Sequence, residues 1–178
     1  MLLSGGVDSF ACAHFLCQQK FTPLAVFVDY GQAARAQELA ATSRVCEFLG
    51  IQRTVIQLST SPIHRFGSGE TPVRNLALLS LATLYTLGGR VVAMGIHAGT
   101  PYFDCSPSFT EQAGRLINEC TNGVVAVFAP FLRWTKRDVI EYAQSEGLDL
   151  DLTYSCEAGT LPPCGTCSSC RDRSALLC

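Results

Sequence analysis

Short apolar runs alternate with longer segments in which apolar residues recur at helical spacing along most of the chain. The runs predict buried parallel strands at residues 24–28, 53–57, 91–95 and 124–128, preceded by the stub of a first strand at Leu2 and Leu3. The helical spacing predicts helices at residues 8–20, 32–49, 73–87, 108–120 and 138–145. Because strand–helix–strand alternation with short connections places helices on both faces, we predict an α/β fold with a doubly wound parallel sheet.

Two of the predicted helix starts carry a capping-box pattern. Ser108 stands three residues before Glu111, and Thr135 stands three residues before Asp138. In this spacing the hydroxyl oxygen can accept a hydrogen bond from a free N–H of the first helical turn. We therefore expect Ser108 and Thr135 to cap their helices.

The periodic pattern divides the chain into two parts. Residues 60–71 form the one long central loop and are rich in Gly, Pro and Ser. After Asp149 the periodicity stops and a cysteine-rich tail begins. We predict an α/β domain over residues 1–150 and a small metal-binding module over residues 151–178 that packs on the same domain.

Composition and charge narrow the class of protein. The chain has 178 residues, 48% hydrophobic and 16% charged, which is typical of a globular domain with a sizeable core. Its net charge is −2, so no general basic surface favours nucleic acid. The longest uncharged stretch, residues 75–89, is shorter than the ~20 residues of a membrane span. With no basic segment before the apolar start, we expect a cytoplasmic protein without a membrane association.

Four of the 10 cysteines form a C-x7-C-x2-C-x2-C cluster at Cys156, Cys164, Cys167 and Cys170. Most of the other cysteines lie in or beside apolar runs, where a reduced thiol behaves as a small hydrophobe, so the pattern indicates a reducing compartment. Thiolates at C-x2-C spacing can approach one tetrahedral ion, and four of them make a closed structural zinc site. An iron–sulfur cluster and a disulfide pair are the alternatives.

The strongest motif lies between the strand stub and the first helix and reads Ser4-Gly5-Gly6-Val7-Asp8-Ser9. Two glycines allow a sharp turn and a close approach to a ligand. Main-chain N–H groups, two hydroxyls and a helix N-terminus then converge on one small volume, which favours a phosphate or pyrophosphate. The alternative is a plain strand-to-helix turn. The turn lacks the lysine of a Walker A loop and the spaced glycines of a dinucleotide-binding turn.

This SGGVDS turn resembles the PP-loop of the ATP pyrophosphatase superfamily. Members of the superfamily cleave ATP between its α and β phosphates, adenylate an oxygen of their substrate, and let a nitrogen or sulfur nucleophile displace AMP. The resemblance implies that Gly5, Gly6, Asp8 and Ser9 hold pyrophosphate and its Mg²⁺. It also implies that residues 1–150 bind ATP, with Ser4, Val7 and Asp29 at the nucleotide.

Five further segments carry a more specific resemblance. They are FVDYGQ at residues 27–32, TPVRN at 71–75, YFDC at 102–105, WTK at 134–136 and CGTCSSCRDR at 164–173. Together they are similar to the 7-cyano-7-deazaguanine synthase family of queuosine precursor biosynthesis. This resemblance implies a small-molecule ligase that converts 7-carboxy-7-deazaguanine and ammonia, with ATP, into the nitrile through an amide. It also implies catalytic roles for Asp8, Ser9 and Lys136.

The resemblance implies substrate contacts for Arg74, Asn75, Asp104 and Arg173, and each of these side chains has a structural alternative. Arg74 and Asn75 can instead cap a helix, and Arg173 can instead pair with Asp172 or Glu157. Asp29 is a loop cap or a group near the nucleotide. Lys136 opposes the helix dipole at a helix start, which favours an anion contact. His97 follows a strand end and is either a satisfied polar histidine or a cleft residue.

The sequence departs from the family pattern on the substrate side. The approach to Asp104 is shorter, Ser106 stands where the family has an arginine, and the region before Thr71 is abbreviated. A divergent relative that forms an amide or conjugate of a deazaguanine carboxylate therefore remains an alternative. The others are a PP-loop tRNA-modifying enzyme, disfavoured by the net charge, and a nucleotide sensor without turnover. The apolar helix at residues 73–87 leaves a homodimer open.

Overall fold

A computed structural model describes residues 1–58, 71, 73–85 and 90–177. The strands are β1 (Ala25–Asp29), β2 (Arg53–Gln57), β3 (Val91–Ala93) and β4 (Ala126–Phe128). The helices are α1 (Val7–Gln18), α2 (Arg35–Leu49), α3 (Arg74–Tyr85), α4 (Pro107–Cys120), α5 (Lys136–Ser145) and α6 (Ser168–Leu177), with 3-10 turns at Phe103–Cys105 and Leu150–Leu152.

Two parallel strand pairs are joined by the first residues of the chain. β1 pairs with β2 from Ala25↔Arg53 onward, and β3 pairs with β4 from Val91↔Ala126 onward. Between the pairs, Leu2 forms a parallel bridge with Val26, and its N–H donates to the Ala93 carbonyl at 2.9 Å. The strand order is therefore β2, β1, the N-terminal stub, β3 and β4. The predicted parallel sheet is confirmed.

Alternate residues of the strands face two separate apolar cores. One core joins Leu3, Ala25 and Ala93 to residues of α1, α2 and α5, among them Phe10, Val45 and Val139. The other joins Val26, Val28 and Val92 to residues of α3 and α4, among them Leu79 and Phe109. Because successive strand residues point to opposite faces, the sheet is covered by helices on both sides, as the doubly wound prediction requires.

One of the two capping predictions is confirmed and the other is wrong. Thr135 and Asp138 form the predicted capping box of α5, with the Thr135 hydroxyl accepting from the Asp138 N–H at 3.2 Å. At α4 the cap is Ser106, whose hydroxyl accepts from the Phe109 N–H at 3.1 Å, so the prediction of Ser108 was wrong. The helix begins earlier because Pro107 fits its first position, where no N–H is needed.

Some predictions fall on parts of the chain that cannot be compared. The central loop, except Thr71, and the last two residues of the predicted helix at 73–87 lie outside the described residues. None of the helices in the described part of the chain combines the length and apolar character that a membrane span needs.

The C-terminal tail contacts the glycine turn and the start of α2. The Tyr154 N–H donates to the Gly5 carbonyl at 2.9 Å. A small cluster of buried residues forms this contact: Ala34, Ala41, Tyr154, Cys156 and Cys170. Gly159 lies so close to the backbone of Ala33 that a Cβ at this position would overlap its carbonyl. The tail also ends in α6, a helix that the sequence pattern did not predict.

We expect Gly5→Ala to destabilise the fold more than a matched glycine substitution. Gly5 has a φ of +82°, and an added Cβ would lie 2.8 Å from the Glu38 carbonyl oxygen and 2.9 Å from the Ala41 Cβ. The control is Gly123→Ala, where φ is +80° and a Cβ would meet nothing within 4 Å.

In Gly123→Ala the free energy of unfolding should fall only by the penalty for a left-handed backbone, about 1–2 kcal/mol. In Gly5→Ala the free energy of unfolding should fall by about 1–3 kcal/mol more than in the control, because α2 has to move. Chemical denaturation measures both free energies of unfolding. Equal losses would show that α2 does not press against the turn.

Candidate active site and metal centre

A cleft of about 680 Å³ opens at the carboxyl ends of the strands, where open parallel sheets bind their ligands. Most of the predicted site residues line it, namely Ser4, Gly6, Val7, Asp8, Ser9, Arg74, Asn75, Asp104, Lys136 and Arg173. Gly5 and Asp29 are not part of its lining. The fold therefore brings together side chains from the glycine turn, the starts of α3 and α5, the 3-10 turn at Phe103–Cys105 and the tail.

The glycine turn has the geometry of an anion site. The Ser4 and Ser9 hydroxyl oxygens lie 3.2 Å apart, and the Ser9 hydroxyl donates to the Gly6 carbonyl at 3.0 Å. Gly6 is the N-cap of α1 and has no side chain that could satisfy the first N–H groups of the helix. The helix N-terminus is therefore open toward the cleft, with two hydroxyls beside it.

The Asp8 carboxylate lies between the side chains of Lys136 and His97, which come from distant parts of the chain. The Lys136 Nζ is 2.6 Å from one carboxylate oxygen, and the His97 Nε2 is 3.8 Å from the other. The His97 Nδ1 lies 2.5 Å from the Ala98 carbonyl, which can only accept, so Nδ1 carries a proton. Lys136 thus contacts an anionic side chain of the protein itself, and His97 is both hydrogen-bonded and part of the cleft lining. No motif indicated the proximity of His97 to Asp8.

A buried asparagine joins the start of α3 to the 3-10 turn at Phe103–Cys105. Asn75 is 6% exposed. Its main-chain N–H donates to the Asp104 carboxylate at 3.3 Å, and its side-chain amide donates to the Asp104 carbonyl at 3.0 Å. Burial raises the pKa of the neighbouring Cys105 thiol, which favours its neutral form. Asn75 thus fixes Asp104, while the exposed Arg74 faces the cleft.

The segment after β1 orders a glutamate that the sequence did not single out. The Gln32 side-chain oxygen accepts from the Tyr30 N–H at 2.9 Å, and its amide donates to the Val28 carbonyl at 3.1 Å and to the Glu38 carboxylate at 2.8 Å. Burial raises the pKa of Glu38. Asp29 accepts from the Gly31 N–H at 3.0 Å, which is the loop-capping alternative. A single glutamate near a helix start carries no motif that would identify it.

Arg173 holds the tail together through contacts that differ from the predicted ones. Its guanidinium donates to the Thr153 hydroxyl at 2.6 Å and to the Leu150 carbonyl at 2.7 Å, and lies 3.8 Å from the Asp151 carboxylate. The expected alternatives, ion pairs with Asp172 or Glu157, do not occur among the described residues. Glu157 instead accepts hydrogen bonds from Ser168 and Ser169 at the start of α6.

The four clustered cysteines form a site that fits a metal ion. Their Sγ atoms all lie within 4.8 Å of one another. A tetrahedral zinc with Zn–S bonds of about 2.3 Å would need the sulfurs about 3.8 Å apart, a small contraction. Burial acts to raise the pKa of Cys156, but hydrogen bonds from the Cys164 N–H and from Tyr154 and Thr160 lower it to about 5. This donor set favours a thiolate, the form that binds metal.

The parallel sheet with a glycine turn between its first strand and first helix has the arrangement of a PP-loop type of α/β fold. The solved structure of the U34-tRNA thiolase NcsA from Methanococcus maripaludis, with its [4Fe-4S] cluster, has this fold. It aligns with a TM-score of 0.57 at 19% identity, over 84% of this chain and 56% of its own. At that identity the likeness concerns the fold alone.

The family follows from the sequence relatives. Residues 1–68 and 64–177 match the family model described as queuosine biosynthesis protein QueC. A protein of Psychromonas ingrahamii is 33% identical over 97% of this chain and 89% of its own length. One of Aquifex aeolicus is 34% identical over 99% of this chain and 94% of its own. Both are named 7-cyano-7-deazaguanine synthase. The chain belongs to the QueC family of queuosine biosynthesis proteins, and the resemblance stated from its motifs is confirmed.

We expect Cys164→Ser to remove the bound metal and to weaken ATP binding as well. The purified protein should carry about one zinc per chain by elemental analysis, and the variant much less. Its melting temperature should fall by about 5–10 °C. Because Tyr154 joins the tail to Gly5, the affinity for ATP should fall too.

The matched control is Cys120→Ser, which changes an exposed thiol outside the cluster. It should keep its zinc, melting temperature and ATP affinity. Iron in place of zinc would refute the zinc assignment, and unchanged ATP binding in the metal-free variant would refute the link to the turn.

Proposed function

We propose that the protein is an ATP-dependent carbon–nitrogen ligase that converts 7-carboxy-7-deazaguanine and ammonia into 7-cyano-7-deazaguanine through the amide. The observation that carries this proposal is one cleft that holds the glycine turn, the Asp8–Lys136 pair and the Arg74–Asn75–Asp104 group. Membership of the QueC family and the names of the relatives support it.

The ATP half of the reaction uses the turn. The open N-terminus of α1 and the Ser4 and Ser9 hydroxyls would hold the β and γ phosphates. Mg²⁺, held by Asp8 and Ser9, would neutralise the charge of the leaving pyrophosphate. Lys136 lies 2.6 Å from Asp8 and is therefore near enough to stabilise charge that develops on the transferred phosphoryl group.

The chemical sequence requires two adenylations. A substrate carboxylate oxygen attacks the α-phosphorus, the bond to the β-phosphate breaks, and pyrophosphate leaves. Ammonia then displaces AMP from the acyl carbon and loses a proton to give the amide. In the second round the amide oxygen attacks the α-phosphorus of another ATP and pyrophosphate leaves. Loss of AMP, which carries the amide oxygen away, and of both amide protons then leaves the nitrile. The enzyme's contribution is positioning and electrostatic stabilisation.

Arg74 is the group that we assign to the substrate carboxylate. Among the described residues it has no hydrogen-bond or ion-pair partner, whereas Lys136 is engaged by Asp8 and Arg173 by the tail. The arginine that the family places after the YFDC cysteine is Ser106 here, and its hydroxyl caps α4. Asn75 and Asp104 would bind the polar edges of the ring, and Arg173 would border the site from the tail.

The substitution by Ser106 also favours a second candidate, a divergent relative that stops at the amide or passes the acyl group to another amine. Incubation with ATP, Mg²⁺, ammonia and 7-carboxy-7-deazaguanine, followed by mass spectrometry and quantification of AMP and pyrophosphate, separates the two. The proposal predicts the nitrile with two AMP per product. An amide as the end product supports the second candidate, and formation of ADP alone overturns both.

We expect Asp8→Asn to slow the conversion of ATP to AMP by about 10²–10³-fold. The variant loses the negative charge that would hold both the metal and Lys136. Its melting temperature should stay near that of the wild type, since the ion pair is partly exposed. Asp151→Asn, which removes a carboxylate outside the cleft lining, is the control and should keep full turnover. Full turnover in Asp8→Asn would refute the pyrophosphate site.

A further inference from the structure

Glu38 is a cleft side chain that the proposed reaction leaves without a task. It projects from the first turn of α2 and lines the cleft together with Gln32 and Arg74. The Gln32 amide donates to one carboxylate oxygen at 2.8 Å. Gln32 is itself 8% exposed and held by two further hydrogen bonds to the backbone of the β1 loop. The direction of the Glu38 carboxylate is therefore fixed before any ligand binds.

Three other acidic side chains that line the cleft are already engaged, and a fourth, Asp172, is exposed to solvent. Asp8 is paired with Lys136, Asp104 accepts from Asn75, and Glu157 accepts three hydrogen bonds at the start of α6. Glu38 accepts from Gln32 on one oxygen, and its second oxygen has no hydrogen-bond partner among the described residues. An oriented, partly desolvated carboxylate with free acceptor positions is suited to bind a ligand that presents two adjacent donors.

We propose that Glu38 determines specificity by accepting hydrogen bonds from the N1–H and the 2-amino group of the deazaguanine ring. This inference rests on the proposed function, which supplies the substrate class. The 2-aminopyrimidinone edge presents two neighbouring N–H donors, which match the two oxygens of one carboxylate. The carboxylate at C7 lies across the ring system from this edge and would face Arg74.

The same chemistry argues against adenine as the partner of Glu38. The corresponding edge of adenine has one amino donor beside the N1 acceptor. A carboxylate there would gain one hydrogen bond and place its second oxygen against a lone pair. Glu38 is therefore assigned to the deazaguanine and not to ATP.

The test compares Glu38→Gln with the wild type for two ligands, 7-carboxy-7-deazaguanine and its analogue without the 2-amino group, 7-carboxy-7-deazahypoxanthine. Calorimetry in the presence of a non-hydrolysable ATP analogue gives the affinities. A hydrogen bond to a charged group predicts that the wild type prefers the amino compound by about 10–100-fold. In Glu38→Gln this preference should fall to near one, because the amino compound loses two hydrogen bonds to the carboxylate and the analogue only one.

Glu157→Gln is the matched control, since it changes another cleft carboxylate and should keep the preference. If Glu38→Gln fails to fold, Glu38→Asp, which withdraws the carboxylate by one methylene, replaces it with the same expectation. A preference that survives in the variant overturns the inference. So does an equal loss for both ligands, which would mean that Glu38 only supports Gln32, or a selective loss of affinity for the ATP analogue. A wild type that binds neither deazapurine overturns the proposed function itself.

Discussion

The structure depends on the hydrogen bonds that hold residues 1–3 between β1 and β3. The Val26 N–H donates to the Met1 carbonyl at 2.8 Å, the Leu3 N–H donates to the Val26 carbonyl at 2.9 Å, and the Leu2 N–H reaches Ala93. Without this short segment the two strand pairs would be separate, and each pair alone is too small to be stable. The segment also leads directly into the glycine turn, so sheet assembly positions the anion site.

The turn is constrained from two further sides. The backbone of α2 passes so close to Gly5 that no side chain fits, and Tyr154 donates a hydrogen bond to the Gly5 carbonyl. Tyr154 precedes the cysteine cluster by two residues and packs with Cys156 and Cys170. The cysteine cluster and the glycine turn are therefore linked by a short, packed path.

Sequence patterns predicted those features that depend on residues close together in the chain, namely the strands, a helix cap and the cysteine cluster. The apolar runs predicted β2 without error and the other strands to within two residues at either end, and the Thr135–Asp138 box is as expected. The cluster of four cysteines also follows from spacing alone. Contacts between distant residues were not predictable in the same way. The ion pair of Lys136 with Asp8 joins positions 128 residues apart, and only the sheet order brings them together.

Two local errors have a common cause. The capping pattern pointed to Ser108 although Ser106 is the cap, and the pattern did not predict α6 because its sequence has no apolar face of its own. In both cases the neighbours decide the structure: Pro107 fixes the start of α4, and α6 is held by Glu157 at its start and by Arg173 along its length. Periodicity cannot detect a helix whose stability comes from such polar contacts.

The two halves of the cleft differ in how tightly the fold restricts their side chains. The turn that would hold pyrophosphate cannot vary at Gly5 without moving α2. The substrate side is held by side-chain hydrogen bonds such as those of Asn75 and Gln32, which tolerate changes in the intervening loop. The alignment with the Psychromonas relative spans 198 positions, more than the 178 residues of this chain, so the chain lacks segments that the relative has. A shorter chain of this family can therefore keep the glycine turn while its substrate side differs, and Ser106, the cap of α4, stands where the family pattern has an arginine.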